Sequence, residues 1–133
     1  MKKTYQGSCH CGAVRFECDL DLMAGTSKCN CSMCRRGRYW KAIVKPDAFR
    51  LLKGEDALSD YSFGSHAIHH LFCSRCGVKP FGRANIEALG GLFYAVNLAC
   101  LDATDEELAA APVQYEDGLH DKWEAAPEVT GHL

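Results

Sequence analysis

Apolar and polar residues alternate over several short stretches of this chain, and short alternation marks a half-buried β-strand. The clearest run is Val14-Arg15-Phe16-Glu17-Cys18, which puts Val14, Phe16 and Cys18 on one face. Seven segments read as strands: 13–19, 38–45, 48–52, 58–63, 67–73, 78–84 and 92–99. Each is short, rich in aromatic or branched residues, and bounded by turn residues. The breaks fall at Gly25-Thr26-Ser27, Lys45-Pro46-Asp47, Lys53-Gly54-Glu55-Asp56, Gly64-Ser65 and Gly90-Gly91. Strands at this spacing predict a mainly β, antiparallel protein rather than βαβ units. One helix signal stands out. Thr104-Asp105-Glu106-Glu107 has the form of a capping box, which opens a short helix through Ala111, with Pro112 following.

The length of 133 residues predicts a single domain spanning 1–133, large enough to bury a core. Hydrophobic residues are 47% and charged residues 24%, values of a soluble globular protein. No apolar run approaches the ~20 residues that span a bilayer, so no membrane partner is expected. Met1-Lys2-Lys3-Thr4-Tyr5-Gln6-Gly7 has no apolar stretch behind its lysines, so it does not read as a secretory signal. The expected location is cytoplasmic.

Nine cysteines change the picture. In a reducing compartment, tight cysteine clusters read as metal ligands rather than as disulfides. Cys9-His10-Cys11 is one pair, Cys29-Asn30-Cys31-Ser32-Met33-Cys34 a triplet, and Cys73-Ser74-Arg75-Cys76-Gly77 a second pair with a following glycine. A four-thiolate zinc site takes two such pairs. The natural partition is Cys9, Cys11, Cys73 and Cys76 in a closed structural site, with Cys29, Cys31 and Cys34 in a second site. Three protein ligands with a fourth place open is the usual catalytic pattern, whereas a fourth protein ligand would make the triplet structural too. Two zinc ions per chain are expected at full loading. Cys18 and Cys100 lie outside the clusters and read as small buried apolar residues. The triplet itself falls in a connection, on a turn or a short helical loop.

The net charge of −2 hides a segregation. Lys28, Arg35, Arg36, Arg38, Lys41, Lys45, Arg50 and Lys53 cluster around and after the triplet, while acids dominate from Asp102 onward. Arginine forks suit carboxylates and phosphates, so Arg35, Arg36 and Arg38 are candidate contacts for an anionic small molecule. A solvated basic face is the plainer reading of the same run. The acidic total and the lack of any RNA or DNA motif argue against a nucleic-acid partner. His69 and His70 are neighbours on a predicted strand and face opposite sides. They, His66 and His10 read as surface or strand-face residues.

Gly7-Ser8-Cys9-His10-Cys11-Gly12-Ala13-Val14-Arg15-Phe16, then C-x-C-x-x-C-R-R over 29–36, F-C-x-x-C-G over 72–77 and Ala95-Val96-Asn97-Leu98-Ala99-Cys100-Leu101-Asp102 follow one another in fixed order. This order resembles the glutathione-dependent formaldehyde-activating enzyme (GFA) or CENP-V-like family, from about Gly7 to Trp123. The resemblance implies an Mss4-like twisted β fold stapled by zinc. It implies the same partition of ligands: Cys9, Cys11, Cys73 and Cys76 for the structural zinc, and Cys29, Cys31 and Cys34 for the zinc associated with activity. It also implies the chemistry of S-(hydroxymethyl)glutathione synthase, a carbon–sulfur lyase running in the synthetic direction on a small thiol such as glutathione. The alternative is a non-catalytic zinc-stapled β domain that binds a protein or a thiol. Oligomeric state is not legible in the sequence.

Overall fold

The computed structural model describes residues 1–133 and is mainly β, with ten strands in two sheets and two short helices. The first sheet has three strands in the order β1 (Lys3–Ser8), β2 (Arg15–Leu20) and β5 (Phe49–Lys53). The second has seven: β10 (Val113–Glu116), β3 (Thr26–Cys29), β4 (Trp40–Val44), β9 (Gly91–Asn97), β8 (Phe81–Ile86), β7 (Ile68–Cys73) and β6 (Leu58–Tyr61). Helix α1 (Ser32–Gly37) carries the second half of the triplet, and α2 (Asp105–Ala110) is the helix that the capping box predicts. Both halves of that box are made, Glu107 N–H to Thr104 Oγ1 and Thr104 N–H to Glu107 Oε1, each at 3.1 Å.

The alternating run does what its pattern dictates. Phe16, Cys18 and Leu20 are buried while Arg15, Glu17 and Asp19 lie toward the surface. Phe16 stacks on Phe49 at 5.6 Å and meets the edge of Phe81 at 5.7 Å, and Phe49 stacks on Tyr94 at 4.1 Å. These rings tie the small sheet to the large one, because Phe16 and Phe49 come from the first and Phe81 and Tyr94 from the second. Gly7 makes the approach possible: a Cβ there would run into the Phe16 ring and lie 2.8 Å from the Cys100 carbonyl.

Three strands were not predicted, and the expected break at Thr26-Ser27 is part of one of them. Strand β1 is polar at four of six positions, yet it pairs with β2 from Lys3↔Leu20 to Ser8↔Arg15 and buries only Tyr5 and Gly7. Strands β3 and β10 are four residues each, too short to show a period. They also correct the expectation of a wholly antiparallel sheet, since β10 pairs with β3 in parallel, Val113↔Thr26 to Glu116↔Cys29. Strand β2 begins at Arg15 rather than at residue 13, after a turn that carries the first cysteine pair. No helix is long and apolar enough to cross a membrane.

Candidate metal centre

The first cysteine pair sits in the turn between β1 and β2, and the second in the turn between β7 and β8. Both turns are tight. Cys9 N–H donates to the Val14 carbonyl at 3.1 Å, and Cys73 N–H to the Val78 carbonyl at 2.9 Å. Backbone donors are spent on sulfur as well: Val14 N–H reaches Cys9 Sγ at 3.3 Å, and Arg75 N–H reaches Cys73 Sγ at 3.4 Å. Such donors stabilise thiolate over thiol. Cys76 is held down to about 6 by the N–H groups of Cys11 and Val78. Cys73 is lowered by the N–H of Cys76 and, after burial opposes it, by that of Arg75. Cys11 receives the Ala13 N–H, but desolvation and the neighbouring sulfurs of Cys73, Cys9 and Cys76 leave it at about 11.

The four sulfurs of Cys9, Cys11, Cys73 and Cys76 all lie within 4.8 Å of one another. Cys11 Sγ is 3.7 Å from both Cys9 Sγ and Cys73 Sγ. A zinc–sulfur bond of about 2.3 Å gives a tetrahedron whose edge is about 3.8 Å. The cage therefore has the dimensions and the donor set of a zinc tetrathiolate. It is the only group of three or more Cys, His, Asp or Glu side chains that converges in this way, and no histidine joins it.

The triplet is built differently. Cys29 ends β3 and is buried, Cys31 caps α1, and Cys34 lies in the first turn of that helix. Cys31 Sγ accepts the Cys34 N–H at 3.3 Å, and Cys29 Sγ accepts the Cys31 N–H at 3.3 Å. The Cys29 and Cys34 thiols and the helix N–H groups hold Cys31 far below the usual thiol range, while Cys29 is pushed up by Cys31 against an opposing Cys34, and Cys34 is pushed up by both Cys29 and Cys31. The three sulfurs do not converge within 4.8 Å as the four do.

Several residues around the triplet escaped the sequence reading because their contacts bridge the length of the chain. Asn30 Nδ2 donates to Asp117 Oδ1 at 2.9 Å, and Asn30 Oδ1 accepts the Leu119 N–H at 3.0 Å. The hydrogen bond from Asn30, then that from His120 Nδ1 at 2.9 Å, holds the Asp117 carboxyl below its usual range. Gly118 lies against the triplet, where a Cβ would stand 2.5 Å from Cys29 Sγ. The one sequence signal for this loop is the turn dipeptide Asp117-Gly118 after the alternating Val113-Gln114-Tyr115-Glu116.

A groove of about 670 Å³ runs beside α1, lined by Asn30, Ser32, Arg35, Arg36, Asp117 and His120 among others. Arg35 and Arg36 reach it, while Arg38 turns to the Leu133 carbonyl at 3.4 Å. The triplet sulfurs do not line the groove; Asn30 and Ser32, on either side of Cys31, do. Cys18 is fully buried, as its alternation predicts. Cys100 is half-buried, its thiol 4.0 Å from the Lys79 carbonyl after the second cysteine turn, and burial, then Cys9 and Cys76, raises it to about 11. His69 Nδ1 meets Asp60 at 2.8 Å, and His70 stacks on Phe63 at 5.5 Å.

The sequence model of the glutathione-dependent formaldehyde-activating enzyme family matches residues 4–117, which takes in all seven clustered cysteines. The chain belongs to that family. A crystal structure of a Rhodobacter sphaeroides protein is similar to it at 32% sequence identity, with a TM-score of 0.69 over 82% of this chain and 99% of that one. The two-sheet architecture described above is thus the Mss4-like fold that the family resemblance implies, and the four-cysteine cage is the metal site that this GFA chain offers most plainly.

Proposed function

We propose that this protein is a zinc-dependent carbon–sulfur lyase that joins a small thiol, of the glutathione class, to formaldehyde. In this reading Cys9, Cys11, Cys73 and Cys76 hold a structural zinc. Cys29, Cys31 and Cys34 hold a second, giving two per chain, with a fourth place left for the substrate sulfur. The single observation that carries the reading is the separation of seven cysteines into a closed set of four and a set of three at a helix N-terminus beside a groove that Arg35 and Arg36 line.

Zinc bound at three thiolates supplies stabilisation of a substrate thiolate at neutral pH. The chain's own residues then have definable tasks. Asn30 and Asp117 fix the loop after Cys29 to the loop after β10, so the triplet keeps its shape. Arg35 and Arg36 offer forks to the substrate carboxylates along the groove. The thiolate sulfur attacks the aldehyde carbon, a carbon–sulfur bond forms, the carbon–oxygen π bond breaks, and a proton passes to the oxygen to give the S-hydroxymethyl adduct.

The test follows formation of that adduct by exchange NMR with formaldehyde and glutathione. The zinc-loaded protein is expected to accelerate the exchange, Cys34→Ser to abolish the acceleration with the fold intact, and the glutathione diester to be a poorer partner, with the preference shrinking at high salt. No acceleration at two zinc ions per chain defeats the reading. The wider spacing of the triplet sulfurs favours a second one, a zinc-stapled β domain that binds a protein or thiol without turnover. That reading expects one firmly held zinc and no exchange.

A further inference from the structure

His120 is the histidine that the structure both places and orients on the wall of the groove beside α1. Its turn, Gly118–His120, follows β10. That turn is closed from both sides, since Asp117 N–H donates to the Lys122 carbonyl at 3.2 Å and Lys122 N–H returns to the Asp117 carbonyl at 2.8 Å. Gly118, at its start, packs directly against Cys29 Sγ. The loop therefore has one placement relative to the triplet.

The ring is fixed by a carboxylate. His120 Nδ1–H donates to both oxygens of Asp117, at 2.9 and 3.0 Å. That carboxylate is itself pinned, because its Oδ1 also accepts the Asn30 Nδ2 donor at 2.9 Å and only 12% of its side chain is exposed. Asn30 stands between Cys29 and Cys31. A carboxylate at Nδ1 keeps the imidazole proton there and leaves the Nε2 lone pair as the acceptor. The His120 side chain is 64% exposed, so Nε2 is open to an occupant of the groove. His69 has a similar pairing with Asp60 at 2.8 Å, but on the edge strands β6 and β7, away from the groove. His132 lines the groove with no partner to set its ring. Arg35 and Arg36 line it too, and the other charged groups on its wall are Lys122 and Glu128.

From this placement we infer that His120 is the groove's proton acceptor: a catalytic base, held by Asp117, that takes the proton of a thiol bound beside Arg35 and Arg36 and returns it to the product. The inference rests on the proposed function and names the proton carrier of that reaction. The sulfur–hydrogen bond breaks, the proton goes to Nε2, and the electron pair stays on sulfur. The sulfur adds to the aldehyde carbon, the carbon–oxygen π pair moves to oxygen, and the imidazolium Nε2–H protonates that oxygen. The histidine ends as it began, so no oxidant, reductant or further reactant is needed. Asp117 stabilises the imidazolium while it lasts and keeps the ring in the accepting tautomer.

The test compares the zinc-loaded wild type with His120→Gln and Asp117→Asn. His120→Gln keeps a donor for Asp117 but carries no base. Asp117→Asn keeps the shape of the loop, while its amide donates to Nδ1 and shifts the ring proton onto Nε2. Calorimetric titration with glutathione at pH 8, in buffers of different ionisation enthalpy, counts the protons given up on binding. Wild type is expected to release close to none, because His120 retains the thiol proton, and each variant about one per glutathione bound as thiolate. Equal release from wild type and His120→Gln, or none from either, overturns the inference. Exchange NMR with formaldehyde then reads the reaction, whose rate should fall about a hundredfold in His120→Gln. Retention of the proton without faster exchange defeats the lyase reading and leaves His120 as the groove's base. Faster exchange with an undiminished rate in His120→Gln does the reverse. Glutathione that fails to bind wild type overturns both. Circular dichroism of each variant confirms that the fold is retained before the proton counts are compared.

Discussion

At the scale of single residues, the tightest constraint on the triplet comes from an atom that is missing. Gly118 has no Cβ, and one placed there would stand 2.5 Å from Cys29 Sγ and 2.6 Å from the Trp123 ring. The ring of Trp123 is exposed and can shift, but Cys29 is buried at the end of β3 and does not yield easily. Gly118→Ala is therefore expected to destabilise the protein by about 1–3 kcal/mol through overpacking, and to speed alkylation of Cys29. Urea unfolding and mass spectrometry read the two effects; an unchanged midpoint with Cys29 still protected would show that the loop gives way freely. Residue identity was well legible where chemistry and spacing are local. The cysteine turns announce themselves because each pair must aim two sulfurs from a few residues of chain. The pairing of Asn30 with Asp117 was not legible, because nothing in the neighbourhood of either residue marks the other. The fold brings Asp117 to Asn30 from 87 positions away.

At the scale of elements, the small sheet is held by charge as well as by rings. Arg50 on β5 reaches Glu17 at 2.6 Å and Asp19 at 2.8 Å on β2, and Thr4 Oγ1 on β1 donates to Asp19 at 2.6 Å. The Arg50 guanidinium, then the Thr4 hydroxyl, holds the Asp19 carboxyl at about 2, well under the ordinary 3.8. A carboxyl depressed in the folded state stabilises the fold fully above its unfolded value and loses that contribution as pH falls through the folded one. Arg50→Met should thus lower the melting temperature at pH 6, and the gap to wild type should close between about pH 4 and pH 2. A gap that stays constant down to pH 2 would show that Arg50 acts through its aliphatic stem alone. The strands that alternate cleanly were readable from sequence. β1, β3 and β10 were not, since β1 draws its order from pairing with β2 and the four-residue strands from pairing with each other. Pairing is a non-local property that a four-residue window does not carry.

At the scale of the whole molecule, the four-cysteine cage joins the two sheets. Cys9 and Cys11 belong to the turn of the small sheet, and Cys73 and Cys76 to a turn of the large one. Metal bound there closes a long loop, so its binding energy is also folding energy. The triplet spans Cys29 to Cys34 and constrains one helix start. Cys76→Ser is expected to melt far below wild type and to aggregate, and a strong chelator should do the same to the wild type. Cys34→Ser should keep a near-normal melting temperature. Thermal melts with zinc counts decide it: equal damage from both substitutions would assign the triplet a structural role. The four-cysteine set was readable because ligand arithmetic survives ignorance of the fold. The joining of two sheets was not, because the number of sheets is fixed only by which strands pair.

The parallel pairing of β10 with β3 has a consequence in time. A chain leaves the ribosome from its first residue onward. Every sulfur of the four-cysteine cage has been made once Cys76 is added, some forty residues before the strand that flanks Cys29 and the loop that covers it. The cage can thus take up its ion in a nascent chain and hold the two sheets together while synthesis continues. The triplet reaches its finished surroundings only when Gly118 has closed over Cys29. The order of the codons therefore imposes an order of maturation, staple first and the surroundings of the triplet last, and a chain truncated before β10 would carry the first without the second.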